Sequence, residues 1–272
     1  MTEECLKYIQ GQWLSDLTEI LLVDNGSNPP LMLKTQDSRL RIVRLDRNRS
    51  NIGGQNACFE NASNENILFV SNDVKMLAGS ITNLYGHAGT LLEYGQIQPV
   101  FFRTDGLVDN AGLMYAWPGY GVSRPIVTCC FHPVRIVPSI AYLMRKSVWK
   151  KMGGFDETLP SAYEDVDMGL RLNKMGLKNY VCGCSAAVHV GNATLRDLPG
   201  VRERFHRARR QVIRKHFKGL NRTSRLAAES FGYMVSAVNS LREIPAHAIG
   251  VVSKPGRSGD GLHEDSVRND PA

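Results

Sequence analysis

The sequence lacks the long apolar segments that cross membranes or direct secretion. None of its uninterrupted apolar runs approaches the roughly 18 to 20 residues that a membrane-spanning helix requires. The first residues, Met1 to Glu4, carry neither the positive charges nor the apolar run of a secretory signal. These absences exclude a helical membrane channel or carrier, and we expect a cytoplasmic protein.

Paired cysteine motifs are missing as well. The six cysteines include two close groupings, Cys129–Cys130 and Cys182–Cys184, and neither supplies the two C-x-x-C pairs of a zinc site. We therefore expect reduced thiols that pack as small apolar side chains. The sequence also has no internal repeat and no low-complexity bias. Its 272 residues are enough to form a substantial core.

The net positive charge is concentrated in one segment, and the rest of the chain is neutral overall. The net charge is +7, and residues 202–218 alone contain six arginines, two lysines and one glutamate. This basic helix is predicted to face an anionic membrane surface or the diphosphate of a lipid-linked molecule. The alternative is a solvated helix whose side-chain stems pack on its neighbours. Only Phe205 and Phe217 interleave with the charges, which argues against a nucleic-acid partner.

Strands alternate with helices along the first two hundred residues. Apolar runs at 19–23 and 66–70 predict buried strands, and further strands are predicted at 39–45, 97–102 and 139–145, with one strand or two at 179–190. Helices are predicted at 2–13, 53–63, 78–93, 146–152 and 163–175. This alternation is typical of a parallel, doubly wound sheet. Ligands of such sheets bind at the carboxyl ends of strands, where Asp24 and Asp73 follow two of the runs.

The remaining segments are less regular. Residues 105–125 are rich in glycine and aromatic residues and are predicted to form a long ordered loop. Residues 226–241 predict an amphipathic helix that lies in the bilayer interface or packs on a partner subunit, which would make the protein a homo-oligomer. The composition from Lys254 onward predicts a disordered tail.

Four groups of side chains offer chemistry: Asp24, Asp73, the acidic residues Glu164, Asp165 and Asp167, and His189. A carboxylate together with an imidazole suits Mn²⁺ or a similar divalent ion. A carboxylate at a helix N-terminus is suited to act as a general base.

Five motifs, in this order, resemble those of the family 2 glycosyltransferases. They are "LLVDNGSN", "RNRSNIGGQNA", "ILFVSNDV", "GGFDETLPSAYEDVDMGLRLNKMG" and "AVHVGNAT". The resemblance runs from about residue 2 to about residue 220, and it is greatest to the rhamnosyltransferase- and galactosyltransferase-like branch. It implies an α/β fold of the GT-A type, a Rossmann-like, doubly wound mixed sheet flanked by helices.

The resemblance also implies a domain organisation. Residues 1–200 would form the glycosyltransferase domain, with the nucleotide-sugar half at about 1–100 and the acceptor half at about 101–200. Residues 201–252 would form a C-terminal helical extension, followed by the tail at 253–272.

The same resemblance assigns roles to individual residues. Asp165 would be the catalytic base of an inverting transfer, with Glu164 beside it, although spacing alone leaves open which of the two is the base. Asp73 and His189 would bind a divalent metal, Mn²⁺ or Mg²⁺. The nucleotide-sugar donor would contact seven residues: Asp24, Asn25, Ser27, Asn48, Gly53, Asn56 and Asn72. The acceptor would be a glycan or a polyprenyl-linked intermediate in surface polysaccharide biosynthesis, for a protein that is cytoplasmic or peripheral on the inner face of the plasma membrane.

Each of these residues has a simpler interpretation. Asp24 would only cap its turn, and Asp73 would only cap the next helix. Glu164, Asp165 and Asp167 would only complement a helix dipole. His189 would be structural.

Two features depart from the family pattern. The apolar strand that normally precedes the first helix is missing, and Ser71-Asn72-Asp73 offers one carboxylate where D-x-D offers two. A non-catalytic relative that binds nucleotide sugars is therefore the main alternative function. A nucleotidyltransferase is the other, but the basic, glycine-rich phosphate loop that it requires near the N-terminus is missing.

Overall fold

The computed structural model describes residues 1–12, 15–116, 120–123, 131–191, 201–219, 221 and 223–224. Its helices are α1 Thr2–Gln10, α2 Ser50–Asn61, α3 Ser80–Ala88, α4 Lys146–Met152, α5 Glu164–Lys174 and α6 Val201–His216. Its strands are β1 Ile20–Asp24, β2 Leu40–Arg44, β3 Asn66–Val70, β4 Val74–Met76, β5 Ile97–Phe102, β6 Val108–Asn110, β7 Leu113–Ala116, β8 Tyr120–Ser123, β9 Phe131–Val134, β10 Ala141–Arg145 and β11 Asn179–His189. The predicted α/β fold with a mixed sheet flanked by helices is confirmed.

The central sheet has the strand order β3-β10-β5-β11-β4, with β6 added to β5 and β9 added to β11. Strands β5 and β11 are parallel, whereas β10 runs antiparallel to both of its neighbours. The alternation of strands and helices favoured a parallel sheet, but the sheet is mixed, as the resemblance to family 2 implies. Apolar runs reveal that a strand is buried on both faces, but they carry no information about its direction.

Strands β1 and β2 form a separate, parallel two-stranded sheet. A cavity of about 410 Å³ separates β1 from β3, and its walls include side chains of both strands and of helices α1, α2 and α3. We call this cavity the interstrand gap. Among the described residues no strand lies in this gap.

An aromatic stack joins helix α2 to the central sheet. The ring of Phe59 lies 6.1 Å from that of Tyr142 and 5.6 Å from that of Trp149, and all three side chains are buried. The Tyr142 hydroxyl donates a 2.9 Å hydrogen bond to Gln55 Oε1, one turn before Phe59 on the same helix. This packing fixes α2 against β10 and α4, and thereby positions the first turn of α2 relative to α5.

Several predicted segments differ from the structure or lie outside it. Most of the described part of 105–125 is strand rather than loop, because β6 pairs with β5, and β7 with β8. Trp13, the helix predicted at 226–241 and the tail at 253–272 lie outside the described residues.

The predicted basic helix is present as α6. Ala208, Val212 and Ile213 are fully buried, so one face of α6 packs against the domain. Among the described residues, no helix is both long enough and apolar enough to cross a bilayer.

Candidate active site

Asp24 ends strand β1 and organises the turn that follows. Its buried carboxylate accepts hydrogen bonds from the backbone N–H groups of Ser27, at 3.0 Å, and Leu31, at 3.2 Å, and it pairs with Arg44. Burial opposes ionisation, but these hydrogen bonds and the nearby guanidinium lower the pKa of Asp24. These contacts agree with the simpler interpretation of Asp24, in which its carboxylate caps the turn.

Asn25 connects that turn to the start of helix α2. Its amide donates to the carbonyl of Ser50 at 2.7 Å, and its oxygen accepts from the N–H of Arg49 at 2.9 Å. The side-chain oxygen of Asn48 accepts a 2.7 Å hydrogen bond from the N–H of Ser50. A Cβ atom at Gly54 would come within 3.0 Å of the Asn25 amide, which explains a glycine here by close packing.

Asn56 is committed to contacts within the protein. Its amide donates to the carbonyl of Phe155 at 3.0 Å and to Glu157 at 2.9 Å, and its oxygen accepts from the N–H of Phe155 at 2.8 Å. A Cβ atom at Gly53 would approach Glu157 to 3.1 Å and the Arg49 side chain more closely still. A nucleotide sugar would therefore have to displace these bonds to reach the Asn56 amide.

Asp73 and His189 lie side by side. Asp73 follows β3 and leads directly into strand β4, so the interpretation of Asp73 as a helix cap is wrong. Its carbonyl accepts a bond from the N–H of Val190, and this bond places the end of β11 beside it. The Nε2 atom of His189 lies 3.4 Å from the Asp73 carboxylate. Asn72 is exposed and its amide donates to the Thr2 hydroxyl at 3.2 Å.

A second carboxylate contacts the same imidazole. The Nδ1 atom of His189 lies 2.7 Å from Oδ2 of Asp109, which belongs to strand β6. Burial disfavours the charged ring, but the hydrogen bonds and charges of Asp109 and Asp73 raise the pKa of His189 to about 9. His189 therefore lies between two carboxylates that favour the charged form of its ring.

Glu164 and Asp165 open helix α5 from a strained backbone. Tyr163, which precedes them, has a φ of 61° and a ψ of 12°, the left-handed conformation that non-glycine residues seldom adopt. Such outliers concentrate at functional sites. Glu164 is buried and accepts a 3.1 Å hydrogen bond from the Asn51 amide, whereas Asp165 is only partly buried.

The electrostatics of this pair differ from those of ordinary first-turn acids. Burial, together with the neighbouring Asp165 charge, raises the pKa of Glu164, and burial also raises the pKa of Asp165. Acids that only complement a helix dipole are solvated and readily ionised. A raised pKa in adjacent carboxyl groups is instead typical of a proton-transfer site.

Asp167, in the same turn, has a different function. Its fully buried carboxylate is 2.8 Å from Arg171, 2.8 Å from Lys215 and 2.7 Å from His216. Burial opposes ionisation, but the hydrogen bond to His216 and the charges of Arg171 and Lys215 lower the pKa of Asp167. Asp167 therefore joins α5 to the C-terminal helix α6 as a structural ion cluster.

The donor atoms at Asp73 and His189 fit a divalent ion only in part. A carboxylate oxygen and an imidazole nitrogen suit Mn²⁺, and the carboxylate behind the imidazole is a common outer partner of metal-bound histidines. Within the described ranges, however, no group of three or more His, Cys, Asp or Glu side chains is arranged to hold a metal. Two protein ligands suffice where substrate phosphates and water complete the coordination.

Sequence reasoning missed two residues of this site. Asn51 contacts Glu164 across 113 positions of sequence, and Asp109 contacts His189 across 80. Asn51 lies in the motif "RNRSNIGGQNA", which predicts donor binding, and Asp109 lies in residues 105–125, which are predicted to form a loop. No sequence signal predicted either contact.

The first 150 residues decide the family. They match the family model described as Glycosyl transferase family 2. The chain belongs to glycosyl transferase family 2.

Two curated relatives are named for O-antigen biosynthesis and for rhamnosyl transfer. The O-antigen biosynthesis protein RfbC of Myxococcus xanthus is 27% identical over 194 residues, which are 65% of this chain and 15% of RfbC. The N-acetylglucosaminyl-diphospho-decaprenol L-rhamnosyltransferase of Mycobacterium tuberculosis is 30% identical over 150 residues, 48% of this chain and 49% of that enzyme. The aligned region is thus half or less of each relative.

Solved glycosyltransferase structures share the fold. GalNAc-T7, crystallised with UDP, GalNAc and Mn²⁺, superposes with a TM-score of 0.61 at 11% identity, over 77% of this chain and 44% of its own. The mannosyltransferase PcManGT of Pyrobaculum calidifontis, in complex with GDP-Man and Mn²⁺, superposes with a TM-score of 0.53 at 15% identity. The superposition covers 91% of this chain and 73% of PcManGT. The GT-A fold implied by the sequence motifs of family 2 is confirmed.

Proposed function

We propose that this chain transfers a sugar from a nucleotide-diphosphate donor to a hydroxyl group of an acceptor, with inversion at the anomeric carbon. The observation that carries the proposal is the adjacent pair of Glu164 and Asp165, whose pKa values are raised at the start of α5. Family membership supports the reaction class.

Asp165 is the better placed of the two to act as base. It is the more exposed carboxylate, and the contact recorded for it is a 2.7 Å bond from the N–H of Val166, which leaves oxygen lone pairs for an acceptor hydroxyl. The base removes the hydroxyl proton as the acceptor oxygen bonds to the anomeric carbon. The bond from that carbon to the diphosphate oxygen breaks, and the diphosphate leaves with the electron pair. Glu164, held by Asn51, orients the neighbouring groups.

Asp73 and His189 would hold a divalent ion beside the leaving group. When bound, such an ion neutralises the charge that develops on the diphosphate. The Mn²⁺ named with GalNAc-T7 and PcManGT supports this choice of metal. Asp24, Asn25, Ser27 and Asn48 would face the nucleotide, with Gly53 behind them.

The relatives suggest the donor and the acceptor. We propose a dTDP- or UDP-linked sugar of the rhamnose or galactose type, transferred to a polyprenyl-diphosphate-linked glycan in surface polysaccharide synthesis. The names of the mycobacterial rhamnosyltransferase and of the O-antigen protein RfbC support this class.

The exposed side of α6 supports contact with the membrane that carries such an acceptor. Arg207, Arg210, Arg214 and Lys218 are exposed and are spaced three or four residues apart, which places them in one stripe. We call them the basic stripe. The described residues contribute no ion pair to these four side chains, whereas Lys215, on the inner side, pairs with Asp167. We propose that the stripe binds anionic lipid headgroups on the cytoplasmic face of the membrane.

A non-catalytic relative that binds nucleotide sugars is the second candidate. The interstrand gap favours it, because the gap lies beside β1 and leaves one wall of the predicted nucleotide site without a strand. The two candidates differ in turnover rather than in fold.

The test is hydrolysis and transfer with a panel of UDP- and dTDP-sugars in the presence of Mn²⁺. The wild type is compared with Asp165→Asn, Asp73→Ala and the control Asp46→Asn, which changes an exposed aspartate. Turnover of one donor that Asp165→Asn reduces by about 10²–10⁴-fold supports the transferase. Donor binding with no turnover in any variant supports the second candidate. If neither binding nor turnover is found with any donor, both candidates are wrong.

A further inference from the structure

A β-bulge in strand β6 sets the direction of Asp109. Phe101 pairs with Asn110 and Phe102 pairs with Val108, so the register shifts between these two pairs. Asp109 is the extra residue between the two partners of β5. Bulges free one residue from the ladder and re-aim its side chain, and they are frequent beside active sites.

The bulge brings Asp109 to one nitrogen of His189 and leaves the other nitrogen for Asp73. Nδ1 lies 2.7 Å from Asp109, whereas Nε2 lies 3.4 Å from Asp73. The buried ring of Phe101 meets the imidazole edge-on, with 6.3 Å between the ring centres. The imidazole is thus held by Asp109 at Nδ1 and packs against the ring of Phe101, while Nε2 faces Asp73 in the turn that follows β3.

We propose that Asp109 is a positioning residue of the site, one that fixes the tautomer and the orientation of His189 so that Nε2 is available to a divalent ion. A histidine that donates its second N–H to a carboxylate is more basic and better oriented as a ligand. The turn Ser71-Asn72-Asp73 supplies one carboxylate to the site, and the bulge of β6 supplies the second from behind the imidazole. This inference rests on the proposed function, because it assigns Asp109 a role in metal binding there.

The chain contains a matched control at Asp105. This residue lies in the turn that connects β5 to β6, is exposed, and pairs with Arg103 at 2.5 Å. It shares with Asp109 the charge, the local segment and a cationic partner, but it does not contact His189. Any effect of removing a carboxylate from this segment in general will therefore also be seen in Asp105→Ala.

The experiment is a titration of the full chain with Mn²⁺, alone and with UDP, by calorimetry. The wild type is compared with Asp109→Ala, Asp109→Asn, Asp105→Ala and Asp73→Ala. We expect Asp109→Ala to weaken Mn²⁺ binding by about 10–100-fold, the usual effect of losing such a partner. The Mn²⁺ affinity of Asp109→Asn should lie between those of the wild type and Asp109→Ala, since the asparagine amide oxygen still accepts a hydrogen bond from Nδ1–H of His189. Asp105→Ala should match the wild type.

Nitrogen NMR of the histidine rings provides a second readout that a merely structural role would not change. In the Mn²⁺-free protein with Zn²⁺ as a diamagnetic probe, wild-type His189 should carry its proton on Nδ1, and Asp109→Ala should lose this single tautomer while its unfolding temperature stays close to that of the wild type. Equal Mn²⁺ affinity and an unchanged His189 spectrum in Asp109→Ala would overturn the inference alone. Failure of the wild type to bind Mn²⁺, with or without UDP, would overturn the proposed metal site together with it.

Discussion

The amide of Asn51, on the first turn of α2, donates a 3.1 Å hydrogen bond to the carboxylate of Glu164, on the first turn of α5. The bond favours the ionised form and so lowers the pKa of Glu164, against the larger effect of burial, which raises it. Asn51→Ala should therefore raise the pKa of Glu164 further. Because the ionised Glu164 is proposed to orient the groups around Asp165, the acidic limb of the rate–pH profile should move to higher pH as Glu164 becomes harder to ionise.

The measurement is the rate of transfer between pH 5 and pH 9 for the wild type and Asn51→Ala. Asn61→Ala is a suitable control, since that side chain donates to the carbonyl of Ala57 within its own helix. An acidic limb at the same pH in both variants would show that Glu164 does not share in the titration that controls the rate.

Asp165→Asn should lower the rate of transfer and raise the stability of the folded protein. Folding raises the pKa of Asp165 above its unfolded value, so the contribution of this group to stability is complete below the unfolded pKa and is lost as the pH rises through the folded pKa. An asparagine does not ionise, so the variant keeps its stability as the pH rises through this range. At pH 8 the variant should unfold about 2–4 °C above the wild type, the shift expected for about 1 kcal/mol in a domain of this size.

Thermal unfolding of Asp165→Asn and the wild type at pH 4 and pH 8 checks this prediction. The difference should shrink at pH 4, because there the carboxyl is protonated in the folded wild type and, close to its unfolded pKa, partly protonated in the unfolded chain. A variant that is less stable than the wild type at pH 8 would mean that the ionised carboxylate is favourably bound in the folded protein.

Asp167→Asn should destabilise the junction between α5 and α6. The substitution leaves Arg171, Lys215 and His216 around a neutral, fully buried side chain. Breaking a buried ion cluster by removing one partner costs about 3–5 kcal/mol. Urea unfolding of this variant should show the loss, while Glu203→Gln, at an exposed site on α6, should remain close to the wild type.

Charge reversal in the basic stripe should release the protein from anionic vesicles. At about 1 kcal/mol for each basic residue near the surface, the triple variant Arg207→Glu, Arg210→Glu and Arg214→Glu should bind vesicles containing phosphatidylglycerol at least about 10²-fold more weakly. The measurement is co-sedimentation at low and at high salt.

A control for the basic stripe must change the net charge equally. Reversal of the exposed residues Lys7, Lys150 and Lys151 does so at other helices. Equal loss of binding in both triple variants would mean that vesicles sense only net charge, and the stripe would not be a docking surface.

The sequence predicted those parts of the structure that depend on local patterns. The start of α5 was predicted within one residue, because acidic residues precede an apolar period of 3.6 and Gly176 follows. The apolar runs of β3, β5 and β11 were equally clear. These elements place Asp73, Glu164, Asp165 and His189 on the segments where they were expected.

The parts that were missed depend on pairing across long distances in sequence. The antiparallel direction of β10 is set by its neighbours β3 and β5 rather than by its own residues. The contact of Asp109 arises from a bulge, which no apolar period records. Asn56, which stays a predicted donor contact, also hydrogen-bonds Phe155 and Glu157, and only the folded chain reveals these two bonds.

The interstrand gap has a mechanical consequence for the site. Asp24 ends a strand of the small sheet and Asp73 follows a strand of the large one, and no backbone ladder joins the two strands. The two strands are instead separated by the side chains that line the gap, Leu6 and Ala62 among them. If the proposed transferase site is formed by both sheets, core substitutions that enlarge or shrink these side chains should change donor affinity without touching the nucleotide or the metal.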